Sequence, residues 1–497
     1  MTEAAPHHLP EPGRNCFRIA VAERLSVIVD AEDYFRVARA AMLNAQQRIT
    51  LIGWDFDARI TLDHDTGAEG PDKLGAFIYW LVERNPKLEV FLLRWDVGAL
   101  ATLTRGTTFL TLLKWMRHPR IHTKLDATHP VGSSHHQKIV VIDDCLAFCG
   151  GIDMTGDRWD TREHRFRDER RRRPTTRRRY KPWHDATTAI TGPMTRVIAE
   201  ICRERWELAG GQPALTPIEG VETCWPEGLA THFRSLPIAV SRSAPPMADR
   251  PPVLEIEALY LDQIASAKRF IYAESQYFAS RRIAEAVARR LDEPNGPEIV
   301  VINPVGAQGW LEPIAMDSAR ARLAEALRRR DRESRFRIYH PFNEGGQAIY
   351  VHAKILIVDD RILRIGSSNM NNRSMRLDTE CDVTVDLNLS GDPAAAKAVA
   401  AIRDDLLAEH LGTRPETVRA AIAQKNSLIA AIEALRGEGR SLRPYEVPDL
   451  SSVEEWLADN EVLDPEGPEE MFEPLAQRGL FRGVMGRLKR PGGKKKR

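Results

Sequence analysis

The chain has 497 residues, more than a single hydrophobic core usually serves, so two or three structural units are expected. With 43% hydrophobic and 28% charged residues and a formal net charge of +1, it has a globular composition and no global attraction to nucleic acid. No stretch reaches the apolar length that spans a bilayer. The N-terminal MTEAAPHHLPEPGRN lacks a basic-then-apolar run, so no signal peptide is expected. The six cysteines are scattered without a C-x-x-C pair and read as reduced thiols. These features predict a cytoplasmic protein, with the inner face of the membrane as a place for peripheral contact.

Along the chain, residues 1–29 read as an arm and 30–215 as a first repeat. There DAEDYFRVARAAML, KLGAFIYWLVER and TFLTLLKWM have helical periodicity, whereas RITLIGW and LEVFLLRW read as strands. HQKIVVID follows, with His136, Lys138 and Asp143, and then GGID, closed by Asp153. Residues 162–181 hold ten arginines and one lysine, a loop inserted ahead of WHDATTAITGP, which carries Asp185. Residues 216–250 read as a linker and 251–410 as a second repeat. Its helices are VLEIEALYLDQIASA, IAEAVARRL and ARARLAEALRRR, and its strands are KRFIYA, EIVVIN and FRIYH. HAKILIVD then supplies His352, Lys354 and Asp359, GSSN supplies Ser367 and Asn369, and TECDVTVDL supplies Glu380. Residues 411–497 form a helical extension, with TVRAAIAQKNSLIAAIEALR read as helical, and end in the basic RGLFRGVMGRLKRPGGKKKR.

The two motifs share H-x-K-x-x-x-x-D, and each histidine is followed 17 residues later by a polar landmark, Asp153 or Asn369. Alternating strands and helices, given twice, predict an α/β fold. It has two pseudo-symmetric repeats, each a mixed β-sheet flanked by helices, and one composite site at their interface. A histidine and a lysine two apart on an extended chain face the same way. Two such pairs suit a phosphodiester. One imidazole attacks phosphorus and the other protonates the leaving alcohol, while Lys138 and Lys354 neutralise the non-bridging oxygens. Asn369 and Ser367 are expected to donate further hydrogen bonds there. Asp185 and Glu380 are candidates for holding the rings in one tautomer. Asp143 and Asp359 are assigned turn and lysine-orienting roles. Glu274 and Gln276, in ESQYF, are candidates for the site wall or for a strand end. No cofactor is expected, and no metal at these histidines: lysine is a poor ligand and no Cys or His-x-x-x-His cluster accompanies them.

These motifs, with GGIDMTGDRWDT and PWHD after the first and ESQYF and IGSSNMNNRSM around the second, resemble the phospholipase D superfamily over most of residues 30–410. The accessory strings resemble its phosphatidylcholine-cleaving members more than its nucleases. The resemblance implies a covalent phosphohistidine intermediate, with His136 as nucleophile and His352 as acid. It implies hydrolysis or transfer of the phosphatidyl group of a glycerophospholipid such as phosphatidylcholine, giving phosphatidic acid. The alternatives are cardiolipin-synthase-like transfer and a metal-independent nuclease. A phospholipid substrate and no nucleic acid are expected, and a monomer, because both motifs lie in one chain. The arginine-rich loop and the basic tail are candidates for touching a membrane surface.

Overall fold

The computed structural model describes residues 10–447 apart from 65–66, 68, 97–106, 222–224, 248 and 308–315. The strands of the first half are β1 (Arg18–Val29), β2 (Arg48–Gly53), β3 (Glu89–Trp95), β4 (Ile121–Asp126), β5 (Ile139–Ile142), β6 (Leu146–Gly150), β7 (Trp183–His184) and β8 (Ala186–Thr191). Those of the second are β9 (Phe233–Ala244), β10 (Val253–Leu254), β11 (Phe270–Glu274), β12 (Glu298–Ile302), β13 (Phe336–Phe342), β14 (Tyr350–Val351), β15 (Ile355–Val358), β16 (Ile362–Gly366), β17 (Glu380–Asp386) and β18 (Ser441–Pro444).

Sixteen of these strands make one sheet. From its edge inward the first half runs β4–β3–β2–β5–β6–β8–β1, and the second half repeats that order as β13–β12–β11–β15–β16–β17–β9. The two halves meet where β1 pairs antiparallel with β9. β7 and β14, one from each half, form a separate parallel pair. This is the expected α/β fold of two repeats, fused edge to edge.

The sheet is covered on both faces, which explains the nearly unbroken apolar runs of its strands. Val27, Val29, Ile139 and Val141 pack on one side with Ile198, Cys202 and Trp206 of the helix Pro193–Leu208. The intervening Ile28, Val140 and Ile142 pack on the other with Tyr34, Phe35 and Met42 of the helix Ala31–Leu43. The first of these cores also takes in Ile355, Ile357 and the helix Pro393–Leu411, so it runs through both repeats.

Several boundaries differ from the sequence reading. Residues 18–29, read as part of an arm, and 233–244, read as part of a linker, are the two central strands. Their outer ends are half-exposed and β9 contains Pro237, which hides the strand pattern. The extension after residue 410 is not wholly helical, because β18 pairs with β13 at the sheet edge. The segment TVRAAIAQKNSLIAAIEALR, read as helical, forms two helices, Pro415–Lys425 and Leu428–Leu435. Asn426 ends the first in the left-handed region (φ 48°), and the Ser427 side chain caps the second by accepting from the Ala430 amide. Cys16, Cys149, Cys202 and Cys381 are buried free thiols. Cys145, half-buried at the β5–β6 turn, is disulfide-bonded, against the expectation of six reduced cysteines. The basic tail lies outside the described residues.

Candidate active site

Each motif histidine and lysine precedes a short strand, β5 or β15, whose hairpin turns at a pair of aspartates in the left-handed region. Asp143 and Asp144 have φ of 49° and 50°, and Asp359 and Asp360 have φ of 52° and 57°. Aspartate tolerates this conformation better than most residues. The Asp143 carboxylate accepts the amides of Gln46, Gln47 and Arg48 at 2.6–2.8 Å, where β2 begins. Asp359 accepts those of Lys268, Arg269 and Phe270 at 2.6–2.9 Å, where β11 begins. These aspartates therefore bolt each hairpin to the neighbouring strand. The expected lysine-orienting role is corrected: the four-residue strand Ile139–Ile142 separates Asp143 from Lys138, a span of about 16 Å.

The two motifs converge. The rings of His136 and His352 lie 6.5 Å apart between centroids. Their supports are exchanged between repeats. His136 Nδ1 meets Glu380 at 3.0 Å, and its backbone N–H donates to the carbonyl of Thr379, the residue before Glu380. His352 Nδ1 meets Asp185 at 2.6 Å, and its backbone N–H donates to the carbonyl of His184, the residue before Asp185. Each carboxylate thus holds the ring of the other repeat. With Nδ1 occupied, Nε2 is the reactive atom of both rings.

Glu380 also accepts hydrogen bonds from the hydroxyls of Ser367 and Ser374. The Ser367 hydroxyl is thereby committed to Glu380, and it also accepts from the Cys381 amide, which corrects its expected role as a phosphate donor. On the other side Gly151 leaves room for Asp185: a Cβ there would lie 2.2 Å from Asp185 Oδ1. Lys138 reaches the His136 carbonyl at 2.6 Å and Asp153 at 3.3 Å. Lys354 reaches the His352 carbonyl. The buried Asn369 Oδ1 has no hydrogen bond among the described residues.

Burial dominates the electrostatics. It holds His136, beside Lys138 and Lys354, well below the usual histidine range. His352 is held low by burial with Lys354 and Arg158 beside it. Lys354 is lowered to about 7 by burial, and Glu380 is pushed up to about 8 by the same cause. Both shifts favour the neutral form of the ring.

The remaining candidates divide. Gln276 donates to the hydroxyls of Tyr277 and Tyr350 at 2.8 and 2.9 Å. Tyr350 stacks on Trp183 at 4.6 Å, and Trp183 packs on the His352 ring at 5.1 Å, so Gln276 braces the wall. Glu274 does not line it: it is 1% exposed and bonds His184 at 2.7 Å and His410 at 3.0 Å behind the site. Sequence reasoning missed Arg158, whose guanidinium lies over Trp183 at 4.2 Å and whose charge is felt by His352 and Lys354. It also missed Ser374. Arg158 stands in GGIDMTGDRWDT, so its only signal was a cation near the first motif that the duplication did not highlight. The arginine-rich insertion is a loop, as expected, but not a wholly solvated one. Arg171 is buried against Asp160 and Arg162 pairs with Glu409, while Arg165, Arg167, Arg177 and Arg178 are exposed.

Known proteins share this organisation. The family described as Phospholipase D matches residues 41–243, and that described as Cardiolipin synthase, PLD-like domain, matches residues 260–402. Phospholipase D A of Dictyostelium discoideum is 25% identical over 79% of this chain, and Phospholipase D1 of Saccharomyces cerevisiae is 25% identical over 78%. Phospholipase D alpha 1 of Carica papaya is 22% identical over 76%. The chain spans 36%, 28% and 63% of the lengths of these three proteins. The crystal structure of phosphatidylserine synthase from Haemophilus influenzae Rd KW20 shares the fold, with a TM-score of 0.52 at 13% identity, over 83% of this chain and 95% of that one. Two family matches, one on each repeat, together with paired motifs whose rings face one another, place the chain in the phospholipase D superfamily.

Proposed function

We propose that the protein is a phospholipase D-like phosphodiesterase that cleaves glycerophospholipids, phosphatidylcholine among them, to phosphatidic acid. The observation that carries this reading is the facing pair of imidazoles, each oriented through Nδ1 by a carboxylate and flanked by lysine. The neutral His136 attacks phosphorus through Nε2, and the phosphorus–oxygen bond to the headgroup breaks. His352 protonates the departing alcohol. The anionic phosphodiester offsets Lys138, Lys354 and Arg158, the cations that hold this ring low, so His352 takes up a proton from solvent at Nε2 as the substrate binds and then passes it to the alcohol. Water or a second alcohol, deprotonated by His352, then takes the phosphatidyl group from His136. The three cations stabilise the oxygens that gain charge. Glu380 and Asp185 keep each Nε2 aimed at phosphorus. Asp143 and Asp359 serve the scaffold, and Asp153 and Asn369 position the lysines and the phosphoryl oxygens.

Among the described residues no helix is long and apolar enough to cross a membrane. The enzyme meets its substrate peripherally, with the exposed arginines of the insertion toward anionic headgroups. A second reading, transfer of the phosphatidyl group to a lipid alcohol, is favoured by the cardiolipin-synthase-type match over residues 260–402. Incubation with phosphatidylcholine and a primary alcohol, with products identified by mass spectrometry, tests the first reading. Phosphatidic acid and the phosphatidyl alcohol are expected, and both vanish in His136→Ala and His352→Ala. The absence of both products across a panel of headgroups overturns it. Cardiolipin formed from phosphatidylglycerol in preference to phosphatidic acid would promote the second reading.

A further inference from the structure

Behind the reacting rings lies a second group of titratable side chains that the phosphodiester chemistry does not use. Asp30 precedes the helix Ala31–Leu43, His164 lies in the arginine-rich insertion, His184 is in β7, and Glu409 is near the end of the helix Pro393–Leu411. One donor atom from each lies within 4.8 Å of the others. His184 Nδ1 is 2.7 Å from Glu409 Oε1 and 3.4 Å from Asp30 Oδ1. His164 Nε2 is 3.0 Å from the same Glu409 oxygen and 3.4 Å from Asp30 Oδ2. Ligands bound tetrahedrally at zinc-like distances stand about 3.3 Å apart; the histidine–carboxylate separations of 2.7–3.4 Å lie near that value, with Asp30 facing His184 through Oδ1 and His164 through Oδ2.

The orientation of the groups matters as much as their spacing. The far nitrogen of each ring is already paired with a carboxylate: His184 Nε2 with Glu274 at 2.7 Å, and His164 Nδ1 with Asp160 at 3.0 Å. That arrangement turns the other nitrogen toward the centre, as outer carboxylates do for metal-bound histidines. Without an ion between them, and against the opposing effect of burial, the surrounding carboxylates push His164 up to about 9 and His184 up as well, and a bound cation would displace those inward protons. Among the described residues the buried Asp30 Oδ2 has no hydrogen bond, and His184 Nδ1 meets only carboxylate oxygens, with Glu409 Oε1 at 2.7 Å. The other Asp30 oxygen is occupied, because it accepts the Asp185 amide at 3.0 Å. A buried polar atom with no partner is costly. Asp30 and Glu409 also bring two negative charges to the centre, Glu409 sharing its other oxygen with Arg162. In the neighbouring group of His184, Glu274 and His410 both Glu274 oxygens are occupied, one by His184 and the other by His410 and the Tyr272 hydroxyl.

We propose that Asp30, His164, His184 and Glu409 form a closed binding site for one divalent transition-metal ion of the zinc class. The ion serves as a structural tie. It joins the first repeat, the arginine-rich insertion and the helix Pro393–Leu411. It also fixes the segment next to Asp185, the residue that orients His352. It touches no reacting atom.

The test uses the full chain without an affinity tag, so that no foreign histidines bind metal. The protein is refolded from denaturant with Zn2+ or Co2+, dialysed, and its metal counted by mass spectrometry. About one equivalent is expected, with the visible absorption bands of four-coordinate Co2+ and no thiolate charge-transfer band. His164→Gln and Glu409→Gln, each with wild-type circular dichroism, should retain less than a tenth of an equivalent. Should either variant misfold, X-ray absorption of the Co2+ form of the unmodified chain decides, with nitrogen and oxygen neighbours and two imidazoles expected. Failure of the unmodified chain to retain metal, full retention by folded variants, or sulfur in the coordination sphere would each overturn the site. Metal content is read without lipid turnover, so the outcome is independent of the activity proposed above.

Discussion

At the scale of single residues the decisive arrangement is the exchange of carboxylates between repeats. Both carboxylates were legible in the sequence as landmarks after each motif. Which ring each one serves was not, because two similar strings carry no record of their relative placement. Only folding shows that Asp185 meets His352 and Glu380 meets His136. Asp185→Asn is therefore expected to disable the ring of the opposite motif. An amide in place of the acceptor favours the wrong tautomer, and kcat should fall by about 10²–10⁴-fold with KM little changed. Steady-state kinetics on a soluble phosphodiester checks this, and a fall confined to KM would count against it. The rings also set a pH dependence of stability. His136 is held below its ordinary value of 6.5, so the folded chain keeps this ring neutral while the unfolded chain takes up a proton. Its contribution is full above that value and is lost as pH falls below it, by up to about 1.4 kcal/mol per pH unit for one ring. Thermal unfolding of His136→Gln should accordingly show a shallower loss of Tm on the acid side than the unaltered chain. Parallel acid limbs would contradict the assignment.

At the scale of elements the aspartate of each motif has a physical reason for its spacing. A strand of four residues separates the lysine from the turn, and the turn must deliver a carboxylate to three amides of the next strand. The turn reading of Asp143 and Asp359 was available from the sequence, since Asp-Asp pairs favour the left-handed region. The long-range anchoring was not, because β2 lies about 95 residues upstream of Asp143. Ser367 shows the opposite failure. Its hydroxyl looked free for a phosphate, but Glu380, in the strand beside it, claims it. Asp143→Asn removes one acceptor oxygen from buried, charge-assisted hydrogen bonds and should destabilise the fold by about 1–3 kcal/mol. Asp359→Asn, with the same three-amide arrangement in a more exposed setting, should cost less. Denaturant titration measures both. Because neither side chain touches the reacting rings, the remaining folded enzyme should keep kcat within about threefold. A large loss of kcat without loss of stability would return these residues to the chemistry.

At the scale of the whole molecule the repeats are recognisable as units but are not built as separate bodies. The duplication was legible because helices, strands and motifs recur in one order. The seam was not, because β1 and β9 were hidden by half-exposed ends and by Pro237. Their pairing runs from Arg18 opposite Val240 to Leu25 opposite Phe233. Separated, each half would expose a twelve-residue edge strand, an open template for aggregation. It would also open the core that joins Ile139 and Val141 to Ile355 and Ile357, and each motif ring would lose its carboxylate. Packing, backbone pairing and the site thus all cross the same seam, so neither half has an independent folded state to populate. Differential scanning calorimetry of the full chain should then show one transition spanning both repeats, with calorimetric and van't Hoff enthalpies in agreement. Weakening the seam with Val240→Asp, which sets a charge in the buried centre of the sheet, should lower that single transition as a whole. Two resolved transitions, with only one of them moved by the substitution, would mean that the repeats fold as separate domains and that the composite site forms by docking.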